Sequence, residues 1–211
     1  MPEPRNPRVG DPGLPLAEAV TTVEEWYRRR DLRPMIVLPQ GAAPEPLAGL
    51  LAERSWVPRP GPAFVMTAEM ADIPASTIGV RFAPEPDAAF LGLYRYRGQD
   101  LPPIARTLMM SAPWQAFGSV HRNGRAAAVG RVSVAGEPGE QWGVLTAVEV
   151  DAACRRQGLG VAITSGLAAA AASQGARRML LQVETGNAAA RALYSRCGFR
   201  DSHRYHYMIA P

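Results

Sequence analysis

The run WGVLTAVEV (142–150) breaks into the turn CRRQGLG and then into an alanine-rich segment that reaches about Gly175, and no other feature limits the fold of this chain so tightly. The first part reads as a strand and the last as a helix. A strand that passes through glycines into a helix leaves backbone N–H groups unpaired at the helix start, where the helix dipole adds partial positive charge. Such a turn is a seat for phosphate. Gly158 and Gly160 have no side chain to hold a phosphate off, and Arg155 and Arg156 supply charge beside it. Two other phosphate loops do not fit. A P-loop needs Gly-Lys-Ser/Thr and the chain has no lysine, while a dinucleotide fingerprint needs a third glycine where Ile163 stands.

Around this junction the chain alternates helix and strand patterns. Residues 16–30 have helical apolar spacing, 35–38 read as a short buried strand, 45–56 as a helix and 63–70 as a strand. Segments 71–79 and 81–87 are rich in turn residues, and helices are expected at 88–99 and around 102–110. Asn123-Gly124 accepts the positive φ angles of a tight hairpin, which makes 117–134 two strands and a turn. A strand at 178–184, a helix at 187–198 and a terminal strand at 205–210 complete an α/β chain with a mixed sheet. Its 211 residues suffice for one domain with a small appendage. The two ends resemble each other: 35–56 overlays 179–199 as strand, loop, helix and closing aromatic, but nothing before Met35 corresponds to RRQGLG.

Composition narrows the functional classes. All 23 basic residues are arginine, the net charge is only +4, and no basic tract is interleaved with aromatics, which speaks against a nucleic-acid binder. Cys154, Cys197, His121, His203 and His206 have no metal-ligand spacing, so no metal is expected and the thiols read as free, in a reducing cytoplasm. Prolines and charges fill 1–15, read as a disordered leader, and no run approaches the length of a membrane span.

RRQGLG resembles the R/Q-x-x-G-x-G/A signature of the GNAT superfamily of N-acetyltransferases, and NAAARALYSRCGF (187–199) resembles its second signature, N-x-x-A-x-x-L-Y-x-x-x-G-F. The two stand in that family's order, one helix and one strand apart. The resemblance implies a GNAT domain over 80–211, with 16–75 a degenerate strand-helix-strand segment lacking the cofactor loop. It implies acetyl-CoA as cosubstrate, its pyrophosphate on backbone N–H groups of Gln157, Gly158, Leu159, Gly160 and Val161. It also implies central strands that splay apart, so that the pantetheine arm pairs with main-chain atoms of Val148 and Val150, with Asn187 capping the next helix or touching the arm. Tyr194 matches the family tyrosine that acts as general acid at the thioester sulfur. A homodimer is compatible with the resemblance.

The base is left open. Gln182 stands where some relatives carry glutamate, and an amide accepts no proton at neutral pH. Glu149 alternates with Val148 and Val150 and is expected to turn away from the cofactor. Glu184, His206 or a water chain are the other choices. Trp114, Phe117, Trp142, Tyr205 and Tyr207 are candidates to line an acceptor cleft. The leading expectation is an N-acetyltransferase acting on a primary amine of a small molecule or peptide. The alternative is a non-catalytic acyl-CoA sensor or scaffold.

Overall fold

The computed structural model describes residues 13–41, 45–95, 99 and 101–211. In chain order the elements are α1 (Leu16–Arg28), β1 (Met35–Pro39), α2 (Glu45–Glu53), β2 (Val57–Pro58), β3 (Ala63–Glu69), β4 (Arg81–Ala83), α3 (Ala88–Leu93), α4 (Ile104–Met109), β5 (Trp114–Arg122), β6 (Arg125–Ala135), β7 (Trp142–Val150), α5 (Leu159–Ala172), β8 (Arg178–Glu184), α6 (Ala188–Arg196) and β9 (Arg200–Ile209). Residues 1–12 of the expected leader lie outside the described residues, as do 96–98 of the helix expected at 88–99. The helix is shorter than expected: α3 covers only 88–93, Tyr94 is already extended at φ −71° and ψ 124°, and Gln99 is a bridge residue. Asp87 opens α3, its carboxylate accepting from the Phe90 N–H at 2.8 Å.

The chain forms two compact units, one of the residues up to Ala63 together with His203–Pro211, the other Phe64–Ser202. This division differs from the segments 16–75 and 80–211 read from the sequence, because the last strand is claimed by the first. In the smaller unit β9 pairs antiparallel with β1, from Met35↔Ile209 to Pro39↔Tyr205, and β2 takes the other side of its end at Val57↔Ile209. Val20, Leu38, Leu51, Trp56, Met208 and Ala210 form its core. The Trp56 indole N–H, which needs a partner once buried, donates to Glu24 at 3.3 Å.

The larger unit is a mixed sheet in the order β3-β8-β7-β6-β5-β4. Strands β4 to β7 pair antiparallel, and β7 pairs parallel with β8. A parallel pair needs a crossover, and α5 supplies it. Leu159, Ala162, Ile163, Leu167, Ala168 and Ala171 bury α5 against one face of the sheet. Phe90, Phe117 and Val129 form a second core on the other face under α3, with the two rings edge to face at 5.1 Å. Asn123 and Gly124 take φ of 50° and 78°, the hairpin expected of them. Residues 81–83, expected as turn, are instead strand β4, because they pair with Phe117 to Ser119 of β5.

Cys154 and Cys197 are free. No helix among the described residues is long and apolar enough to cross a membrane, and these residues contain no group of three or more His, Cys, Asp or Glu that could hold a metal ion.

Candidate active site

Two irregularities in β7 build the site. Its pairing with β8 runs from Trp142↔Arg178 to Leu145↔Leu181 and goes no further, so the sheet parts where both strands still continue. Its pairing with β6 skips a residue: Arg131 faces Thr146, but Val129 faces Glu149, three positions on β7 against two on β6. The extra residue is a β-bulge at Ala147, whose φ of 53° is uncommon outside glycine. Because cross-strand partners share a face, the bulge resets which side chains point where. Thr146 shares a face with Arg131; after the bulge Glu149 shares that same face with Val129, while Val148 and Val150 pack toward α5.

At the parting lies a cavity of ≈ 590 Å³. Val148 and Val150 line it from β7, and Glu149 lines it with them. The expectation that Glu149 turns away is therefore corrected: with no neighbouring strand at the gap, a side chain on either face reaches the opening. Arg155, Arg156, Gly158, Leu159, Gly160 and Val161 form the turn wall, and Asn187 and Tyr194 the wall from α6. Gln157, expected among them, does not line the cavity.

The turn has the geometry of an anion seat. Gly158 sits in the left-handed region, φ 77° and ψ 0°, and opens α5 with no side-chain cap, leaving the first-turn N–H groups without that competitor. Gly160 lines the cavity and also has a packing reason to lack a side chain: a Cβ there would stand 2.8 Å from Leu193, so its absence lets α6 close on α5. Asn187 is a cap, accepting from the Ala190 N–H at 3.1 Å. Arg155 reaches back to β7: its Nη2 is 3.6 Å from Glu149 Oε1, and its Nε donates to the Val150 carbonyl at 3.4 Å.

The carboxyl and the phenol that line the cavity are both shifted by their surroundings. Burial raises the Glu149 carboxyl above the usual carboxylate value, partly offset by Arg155 and by a backbone hydrogen bond at Val150. Burial also pushes the Tyr194 phenol up, helped by Cys197 and by Glu149 itself, so its hydroxyl stays protonated and able to donate at neutral pH.

The remaining expectations separate cleanly. Gln182 and Glu184 are exposed on β8 and line no part of this cavity, and His206 belongs to the smaller unit. Phe117 is core, Trp114 packs against core, and Trp142 lies under Arg178, whose guanidinium carbon is 4.3 Å from a ring centroid. Tyr205 and Tyr207 pair edge to face in the smaller unit. Sequence reasoning missed Arg131. It is buried, at 8 % exposure, and lines a further cavity of ≈ 290 Å³ with Leu101, Leu108, Met109, Thr146 and Ala147. An arginine inside the apolar run AAAVGRVSV breaks the pattern of its strand, and that break was the available signal.

The family model described as "Probable histone acetyltransferase Rv0428c C-terminal" matches residues 14–208. No curated protein matches the chain significantly. Solved structures share its fold at low identity. A GCN5-related N-acetyltransferase from Kribbella flavida is 19% identical with a TM-score of 0.64, over 93% of this chain and 75% of that one. A tandem GNAT protein from the clavulanic acid biosynthesis pathway, solved without AcCoA, is 16% identical with a TM-score of 0.64, over 100% of this chain and 72% of its own. A GCN5-related N-acetyltransferase from Sphaerobacter thermophilus is 17% identical with a TM-score of 0.59, over 89% and 66%. With nearly its whole length matched by the family model and its mixed-sheet fold shared with these structures, the chain belongs to the Rv0428c C-terminal family, within the GNAT superfamily of acetyltransferases.

Proposed function

We propose that this chain transfers the acetyl group of acetyl-CoA to a primary amine, by direct attack with both substrates bound. The observation that carries the reading is the cavity at the strand parting, which puts a left-handed glycine turn, unpaired strand edge, a raised carboxyl and a protonated phenol around one opening. The residues present suit acetyl-CoA. The open N–H groups of the first turn of α5, with Arg156 beside them, suit a pyrophosphate, and the free edge of β7 at Val148 and Val150 suits an amide-bearing arm that pairs like a strand. Acetyl-CoA supplies the activated acetyl carbon and a thiol leaving group.

The chain's own groups divide the remaining work. A protonated amine has no lone pair to attack with, so a base must hold or remove its proton; Glu149 sits on the open edge with its carboxyl raised toward the range a base requires. Tyr194 donates to the sulfur as the carbon–sulfur bond breaks. A thiolate is a weaker base than a phenolate whose parent acid has been pushed above 10, so complete proton transfer is uphill and the hydrogen bond itself is the contribution. Tyr194→Phe is therefore expected to lower kcat by roughly 10–10²-fold, the worth of a hydrogen bond to a charged group, with acetyl-CoA affinity nearly unchanged. Turnover at the wild-type rate under rate-limiting chemistry would return Tyr194 to a packing role and favour the sensor reading.

Gly158→Val tests the anion seat. The new Cβ meets only Ile78 Cδ1, at 3.9 Å, so packing tolerates it, and the positive φ costs about 1–2 kcal/mol. The variant should remain folded and lose acetyl-CoA affinity by about 10-fold or more, since the hydrogen bonds at stake go to a charged group. Titration calorimetry reads this directly; undiminished affinity in a folded protein defeats the assignment of the turn. One acetyl-CoA per chain is expected, because residues 16–75 have no such turn. A panel of amines read by free-thiol release tests the reaction as a whole.

A further inference from the structure

Arg131 lines the smaller cavity as a charge that no described residue neutralises. The residue is only 8 % exposed, yet it has no carboxylate within ion-pair distance among the described residues. Its partners are three neutral oxygens: Nε donates to the Met109 carbonyl at 2.8 Å, and Nη1 to Thr146 Oγ1 at 3.2 Å and Ser133 Oγ at 3.4 Å. A guanidinium has five N–H donors, and Nη2 donates to none of the described residues. Burying an uncompensated charge is strongly unfavourable, and an incoming anion is the group that would relieve it. Around Arg131 the cavity is apolar, through Leu101, Leu108 and Met109, so an ion pair formed there would be little screened.

The bulge connects this cation to the catalytic opening. Arg131 and Val129 lie two residues apart on one face of β6, roughly 7 Å along the strand, and Glu149 stands opposite Val129. One sheet face therefore presents a cation at one cavity and, one ladder step away, the carboxylate proposed above as base. We propose that the smaller cavity is the acceptor site and that Arg131 binds a carboxylate of the acceptor, making the substrate a small amino acid with an apolar body whose amine is directed to Glu149. This rests on the acetyl-transfer reading above. The same cation disfavours a lysine-rich peptide, the acceptor that the family's description suggests. A cavity of ≈ 290 Å³ matches a molecule of amino-acid size.

The experiment pairs each acid with its primary amide. Leucine, phenylalanine, 4-aminobutyrate and 6-aminohexanoate are compared with their amides, and with a lysine-rich peptide, as acceptors for wild type and Arg131→Gln. Wild type is expected to favour its best acid over the matching amide by about 10–10²-fold in kcat/KM, and the variant to bring that ratio to about one, mainly through KM. Acetyl-CoA affinity, by calorimetry, should be the same in both proteins, which a general loss of structure would not allow. Binding of N-acetyl-leucine against N-acetyl-leucinamide, by ligand-observed NMR, gives the same comparison without turnover. If Arg131→Gln does not fold, the wild-type ratio and the binding comparison decide alone. Equal use and equal binding of acid and amide, retention of the preference in the variant, or faster turnover of the peptide overturns the proposal. Tight acetyl-CoA binding with acid-selective product binding but no transfer to any amine would instead overturn the transferase reading and leave the anion site standing.

Discussion

Glu149→Gln is expected to lower kcat by about 10²–10⁴-fold at neutral pH while acetyl-CoA affinity stays close to wild type. The substitution keeps the size of the side chain and its place on the bulged strand; it removes the ability to accept a proton and, with the charge, the half-exposed ion pair to Arg155. The pH dependence gives the sharper reading. Burial raises the Glu149 carboxyl, so the base is present above its raised value and is lost as pH falls through it. The wild-type rate should therefore decline on the acid side over a range above that of an ordinary carboxylate, and the glutamine variant should lack that limb. An acceptor of low basicity keeps the amine's own protonation out of the same range. A glutamine variant with wild-type kcat and an unchanged profile would pass the role to water.

Leu167→Ala should produce the largest loss of stability of any single truncation in the larger unit, about 3–5 kcal/mol. Leu167 is fully buried on α5, and its two methyl groups lie over Gly130 and Gly118, at 2.7 Å and 3.2 Å from where Cβ atoms would be. Glycine backbones on β5 and β6 cannot fill the space left by the missing atoms, so most of the cavity persists. For a chain of this size the loss corresponds to a fall in Tm of roughly 10 °C. A shift of only 1–2 °C by calorimetry would mean that the helix settles onto the sheet. Because α5 also carries the anion turn at its start, the variant should lose acetyl-CoA affinity only near its new melting temperature.

How much of this could be read without coordinates follows from the range of the forces involved. The strand-turn-helix at 142–175, the Asn123-Gly124 hairpin and the cap at Asn187 are local arrangements, set by side-chain periodicity, tolerance of positive φ and unpaired N–H groups within a few residues of one another. The sequence alone determined these and the two signatures, and of the eleven site residues expected from them all but Gln157 lie along the larger cavity. Tertiary structure decided three other matters. Strand β9 joins the front of the chain because β1 offers it a partner some 170 residues away, a pairing that no local pattern encodes. Gly160 has a packing reason that no local pattern shows, since a Cβ there would meet Leu193 of α6. Glu149 reaches the opening, on the face of Arg131, because one inserted residue at Ala147 resets the alternation and β8 leaves β7 at Leu145. A period of two residues predicts a direction only along an unbroken strand, and a bulge or a parted neighbour is an outcome of how whole strands pack.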